Sequence, residues 1–186
     1  MTSSLWNLPN FITALRVIAA GPVIYLLVHG GADAFWAALA IMLLAELTDA
    51  LDGFVARRYG LVSQVGKILD PLADSLYRIS IFTAFAANHW MPLWMFLVIV
   101  WRDLSVSYIR VAAEQSVGTM GARQSGKWKA IVQGIAQMMT VAAHAVWGGM
   151  LPATVGMTVW LALLLATLVT AYSLFDYATS VIRRLV

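Results

Sequence analysis

The 186-residue sequence contains no cysteine, which excludes disulfides and thiolate metal ligands and leaves the redox compartment unmarked. It is also poor in charge. Only 11% of residues are Asp, Glu, Lys or Arg, against about a quarter in a soluble domain. Hydrophobic residues make up 61%, so water is not expected to be the main solvent. No Pro/Gly/Ser-rich linker, low-complexity tract or internal repeat divides the chain, and a single domain over 1–186 is expected. Basic residues form no continuous run, which leaves nucleic acid unsupported as a partner. Met1 to Pro9 lack a basic n-region, so a cleaved signal peptide is not expected. The stretch Leu5 to Leu8, with Trp6, reads as a short interfacial foot.

In place of charge there are long apolar stretches. They run approximately over 10–29, 34–58, 67–88, 91–115, 125–148 and 152–182. At a rise of about 1.5 Å per residue, each can cross a hydrocarbon core of about 30 Å. Gly30-Gly31, Asn88-His89 before Pro92, and Gly148-Gly149 before Pro152 mark the breaks. Backbone in lipid must satisfy its own hydrogen bonds, so the expectation is an all-α membrane protein of six transmembrane helices. The connections around 30–33, 88–91 and 148–153 contain no Lys or Arg. The opposite side receives Arg57, Arg58, Lys67, Arg123, Lys127, Lys129, Arg183 and Arg184. The positive-inside rule makes that side cytoplasmic, together with both termini.

Acidic side chains within such spans cost at least about 2.5 kcal/mol each on insertion. Yet four aspartates lie near the cytoplasmic ends of the second and third spans. Asp49 and Asp52 are three apart, Asp70 and Asp74 four apart, so each pair shares a helix face. A short loop joins the two helices, which are expected to be antiparallel neighbours with converging carboxylates. Such a cluster would repel itself and protonate without cations. Oxygen donors suit Mg²⁺, Mn²⁺ or Ca²⁺, and two divalent ions would balance four charges in a clamp suited to phosphoryl chemistry. The bland alternative pairs these aspartates with Arg57, Arg58, Lys67 and Arg78 as helix caps. Gly53 and Ala56, beside Asp52, leave room for a ligand or a close helix approach.

Read together, Asp49-Ala-Leu-Asp52-Gly53-Phe-Val-Ala56-Arg57, eight residues, then Gly66-Lys-Ile-Leu-Asp70-Pro-Leu-Ala-Asp74 resembles the complete signature of the CDP-alcohol phosphatidyltransferase family. Every fixed position and gap matches over these 26 residues, and the six-helix layout is similar over the whole chain. The resemblance implies that a CDP-linked lipid, CDP-diacylglycerol, donates its phosphatidyl group to an alcohol while CMP leaves. It implies two Mg²⁺ or Mn²⁺ ions on Asp49, Asp52, Asp70 and Asp74, with Asp74 also taking the proton of the attacking hydroxyl. Gly53, Ala56 and Gly66 would line the cytidine pocket, and Arg57 and Ser63 would contact the diphosphate. A homodimer in a bacterial inner membrane, among membrane lipids, is the implied setting.

The run Asn7-Leu-Pro9-Asn10-Phe-Ile-Thr13-Ala-Leu-Arg16 resembles the start of the subgroups that make phosphatidylglycerophosphate and cardiolipin. Asn10, Thr13 and Arg16 fall at i, i+3 and i+6 and can reach the CDP-lipid from one helix face. Ser125-Gly126-Lys127-Trp128-Lys129, followed by Gln133 and Gln137, is similar to the fifth helix of the phosphatidylglycerophosphate-forming subgroup. In that likeness Arg110, Lys127 and Lys129 bind the phosphate of an sn-glycerol 3-phosphate acceptor. The simpler reading of Lys127 and Lys129 is a positive-inside flank beside anionic headgroups. That subgroup usually follows the last aspartate with lysine, where this chain has Ser75. The other acceptors compatible with the resemblance are phosphatidylglycerol, inositol phosphate and serine.

Outside the enzyme class, a divalent-cation transporter would place its carboxylates nearer mid-membrane, and a non-catalytic lipid-binding subunit would be expected to have lost an aspartate. Arg102 calls for a carboxylate, from the turn beside Asp103 or from Glu46, and Asp176 is expected to face a polar cavity or Arg183. His29, His89 and His144 read as structural. Trp6, Trp90, Trp94, Trp147 and Trp160 read as interfacial anchors or packing, and Met138 and Met139 as core filler.

Overall fold

The computed structural model describes the backbone over 8–59, 66–117 and 123–185, and the side chains over 11–49, 69–109 and 123–182. Among the described residues there are six helices and no strand. They are α1 (Leu8–His29), α2 (Ala32–Tyr59), α3 (Gly66–Ala87), α4 (Leu93–Val117), α5 (Gln124–Val146) and α6 (Ala153–Leu185). Each corresponds to one of the six apolar stretches, and the breaks fall at the glycine and proline signals.

The turns have local causes. At Gly30 a Cβ would lie 2.1 Å from that of Ala34, so only glycine lets α2 start so soon after α1. Gly148 and Gly149 take φ of +60° and +92°, a left-handed region that glycine enters without steric cost. There Gly149 N–H donates to the His144 carbonyl at 2.9 Å and closes α5. His89, at φ 57°, makes the corresponding turn after α3, and Asn88 Nδ2 donates to the Leu27 carbonyl at 2.9 Å. Trp90 packs inside this end, its ring stacked 3.6 Å from that of buried His144. Both residues are packing elements, in line with the sequence expectation.

Two groups of three helices make up the bundle. α1 packs along both α2 and α3, while α6 packs along both α4 and α5; α2 meets α5, and α3 touches α4 and α5. Among the described residues α2 and α3 have no close backbone packing of their own. This corrects the expectation that the two aspartate helices are direct neighbours: the short loop joins them in sequence, but α1 carries the packing between them.

The burial pattern differs from that of a soluble bundle in being apolar outside as well as within. Val23, Leu27, Ile81, Phe82 and Phe85 fill one part of the interior, but Gln133, Gln137, Thr140, Thr170 and Ser173 are buried as well. Large apolar side chains such as Ile18, Leu44, Ile135, Leu168 and Phe175 face outward. Apolar groups outside and hydrogen-bonded polar groups between helices suit a lipid surround. The buried threonines bond within their own helices, Thr140 to the Ala136 carbonyl at 2.7 Å and Thr170 to that of Ala166 at 2.6 Å. Phe11–His29 and Ala153–Ile182 are long and apolar enough to cross a membrane by length and composition.

Candidate active site

The aspartates stand in the C-terminal half of α2 and the first turns of α3, so the chain reversal brings them to one end of the bundle. α1 contributes the groups that meet them. Thr13 Oγ1 donates to Asp70 Oδ1 at 2.8 Å, and Arg16 Nη2 donates to Asp49 Oδ1. Thr13 and Arg16 are both buried, and their i, i+3 spacing directs them to the same side of α1. The face-sharing expected for Thr13 and Arg16 is therefore present, and it points at the aspartates.

On α3, Arg78 Nε donates to Asp74 Oδ1 at 2.9 Å, one helical turn away, and its Nη2 lies 3.2 Å from Glu46 Oε1 on α2. Arg78 was a sequence candidate as a partner of the aspartates, and it pairs with Asp74. Glu46 is the correction: the sequence offered it to Arg102, but the structure gives it to Arg78.

Each of the contacts to Asp49, Asp70 and Asp74 uses Oδ1, and none among the described residues engages Oδ2. Side-chain exposure of 49% at Asp49 and 27% at Asp74 leaves those oxygens approachable. The two guanidinium groups meet three carboxylates, Asp49, Asp74 and Glu46, and the fourth, Asp70, accepts from the Thr13 hydroxyl. Among the described residues alone, no three acidic side chains stand close enough together to hold a metal ion. Carboxylate oxygens are the donor type that hard divalent cations such as Mg²⁺ or Mn²⁺ prefer, and Asp52 would have to complete such a set.

A second ionic cluster joins α4, α5 and α6. Lys129 Nζ donates to both oxygens of Asp103, at 2.7 and 3.0 Å. Arg102 donates to Asp103 Oδ1 at 2.9 Å and to Ser173 Oγ at 2.5 Å, with its guanidinium over the Tyr177 ring. All of these side chains are buried. Beside it, Arg123 makes a two-point contact with Asp176 at 2.7 and 2.6 Å, and Ser125 Oγ donates to the same carboxylate at 2.5 Å. Hydrogen bonding to Asp176 pushes the pKa of the Arg123 guanidinium above its ordinary value. Asp176 thus faces Arg123, correcting the expectation of Arg183 or a polar cavity. Arg102 takes Asp103 itself. Asp103, Ser173 and Tyr177 were missed as partners because sequence spacing does not show which faces of α4, α5 and α6 meet.

Of the residues assigned to the acceptor, Lys127 is exposed and Lys129 is enclosed by Asp103. Ser63 lies outside the described residues, as do the side chains of Asn10, Asp52, Ala56, Arg57 and Arg110 and the surroundings of Gly53 and Gly66.

The helical bundle, with an apolar outer surface and a set of aspartates toward one end, defines a polytopic helical membrane protein. Residues 6–177 match the family model described as CDP-alcohol phosphatidyltransferase, and the chain belongs to that family. Among curated relatives, it is 31% identical over 135 residues to the CDP-diacylglycerol–glycerol-3-phosphate 3-phosphatidyltransferase of Cereibacter sphaeroides, covering 70% of this chain and 61% of that protein. It is 32% identical over 145 residues to the protein of the same description in Bacillus subtilis, covering 71% and 75%. To the cardiolipin synthase (CMP-forming) of Streptomyces coelicolor it is 31% identical over 105 residues, covering 55% and 49%. The chain spans about three fifths of the length of the relatives it matches first, 61% and 63%.

Proposed function

We propose that the chain transfers the phosphatidyl group of CDP-diacylglycerol to sn-glycerol 3-phosphate, yielding phosphatidylglycerophosphate and CMP. The observation that carries this is that Thr13 and Arg16 of α1 meet Asp70 and Asp49 while Arg78 meets Asp74, each carboxylate with one oxygen unengaged by described residues. Family membership and the activity for which the Cereibacter sphaeroides and Bacillus subtilis relatives are named support the same reaction.

In this reading Asp49, Asp52, Asp70 and Asp74 hold two Mg²⁺ or Mn²⁺ ions. When bound, such ions neutralise charge on the diphosphate and on departing CMP. The protein's own groups do the rest. Asp74, partly open to solvent, takes the proton from the acceptor hydroxyl as its oxygen bonds to phosphorus and the bond to CMP breaks. Arg16 and Arg57 orient the diphosphate, as guanidinium groups suit phosphate oxygens. Asn10, Thr13, Gly53, Ala56, Ser63 and Gly66 complete the CDP-lipid site. Arg110, Lys127 and Lys129 form the basic side on which the acceptor phosphate is received.

All six helices cross the bacterial inner membrane in this reading, with the aspartates and both termini cytoplasmic, and two copies associate. The Streptomyces coelicolor relative favours one alternative acceptor, phosphatidylglycerol, with cardiolipin as product.

The test is CMP release from CDP-diacylglycerol by purified protein in mixed micelles, with a panel of alcohols, with Mg²⁺ or Mn²⁺ and with chelator. Metal-dependent release with glycerol 3-phosphate is expected. Release with phosphatidylglycerol alone moves the reading to cardiolipin synthesis, and no release with any alcohol sinks it.

A further inference from the structure

Arg78 is the point where three helices meet around the aspartate cluster. Its side chain is buried, at 5% exposure, yet it faces two acidic partners on different helices: Asp74 on α3 through Nε and Glu46 on α2 through Nη2. Its backbone is fixed from the third side, because the buried Gln137 of α5 donates to the Arg78 carbonyl through Nε2 at 2.8 Å. Its remaining nitrogen, Nη1, is buried without a hydrogen-bond partner and lies against Gly134 of α5. A Cβ built at Gly134 would come within 2.9 Å of that nitrogen. The end of an arginine normally moves aside cheaply, but this one is tethered at two other atoms.

We infer that Arg78, anchored by Glu46 and seated in the Gly134 notch, is a positioning residue that fixes the Asp74 carboxylate by Oδ1 and leaves Oδ2 aimed at the reaction. The inference deepens the phosphatidyl-transfer reading and rests on it. A guanidinium has the geometry for the task, since its planar fork presents Nε and Nη2 to two carboxylates at once. A lysine ammonium could not hold both in the same orientations. Glu46 does not belong to the aspartate signature. Its work is to keep Arg78 from rotating away, and glycine at 134 gives the guanidinium the space to lie between them.

The experiment compares wild type with Arg78→Gln, Arg78→Lys, Glu46→Gln and Gly134→Ala, each purified in micelles and checked for monodispersity. Two quantities are read: steady-state kinetics, and Mn²⁺ affinity from electron paramagnetic resonance titration without substrate. If Arg78 merely balanced charge, removing a cation beside the carboxylates would tighten Mn²⁺ binding. If it positions Asp74, binding weakens. For Arg78→Gln we expect Mn²⁺ Kd to rise about tenfold and kcat to fall about 100-fold, with the KM for glycerol 3-phosphate little changed. Arg78→Lys should recover part of kcat.

Gly134→Ala, which keeps every charge, should show both effects in weaker form, and Glu46→Gln should do likewise. Unchanged or tighter Mn²⁺ binding in Arg78→Gln overturns the inference. So does full kcat in both Glu46→Gln and Gly134→Ala, even if Arg78→Gln fails to fold. A wild-type protein that neither binds Mn²⁺ nor releases CMP sinks the phosphatidyl-transfer reading. A wild type that does both, matched by Arg78→Gln, sinks only the role of Arg78.

Discussion

In the α1–α2–α3 cluster each described aspartate gives one oxygen to a neighbour, whereas Asp103, between α4, α5 and α6, gives both of its oxygens. Among the described residues the first cluster holds two guanidinium groups beside Asp49, Asp70, Asp74 and Glu46, and it is partly exposed. The second holds two cations against one carboxylate and is closed. Both consist of residues that are expensive in a membrane protein, and they offset that cost differently. Asp103 is neutralised by the protein itself, so its chemistry is spent on joining helices. Asp49, Asp70 and Asp74 each keep one oxygen clear of described partners, and in the proposed reaction those oxygens are the ones that would take cations. Buried charge by itself therefore does not mark a reactive site; the unmet share of hydrogen bonding and charge does.

The sharpest way to break the comparison is to neutralise one residue on the open side. Asp74→Asn keeps the acceptor for Arg78 but cannot take a proton, and kcat for CMP release should fall by about 10²–10⁴-fold. Its thermal midpoint should stay near wild type, and a variant with full turnover would remove Asp74 as the base.

On the closed side the loss should appear as stability. Asp103→Ala leaves Lys129 and Arg102 buried without their carboxylate, and we expect a destabilisation of about 3–5 kcal/mol. Thermal unfolding in micelles measures it, and melting together with wild type would mean that the cluster carries no stability. The two lysines of α5 offer a finer contrast. Lys127→Ala should raise the KM for glycerol 3-phosphate about tenfold at unchanged melting temperature, whereas Lys129→Ala should lower the melting temperature. Equal KM values for Lys127→Ala and wild type would move the acceptor phosphate elsewhere. The smallest effect is expected at the half-open pair beside the closed cluster. Asp176→Asn should cost only about 0.2–1 kcal/mol, read in the same unfolding assay, because the Arg123 side chain is 35% exposed.

The helices were legible because apolar run length and breakers act locally. Gly30, His89 and Gly148 end or join helices where the sequence places its turn signals. Asp49, Asp70 and Asp74 were legible because helical spacing sets their faces, and the fixed pattern around them named the family. Helix rotation was not legible. Which faces of α4, α5 and α6 meet depends on packing across the bundle, and this decides that Asp103 meets Lys129 and that Asp176 meets Arg123. The same limit hid α1 between the aspartate helices and assigned Glu46 to Arg102 in place of Arg78. Loop length shows that α2 and α3 are close in sequence, but not what stands between them.

That place of α1 has a consequence for folding. Its Arg16 waits 33 residues for Asp49, and its Thr13 waits 57 for Asp70. α1 is thus a staple of high contact order: the two acidic helices are held through side chains far away in sequence, which only the assembled bundle brings within reach.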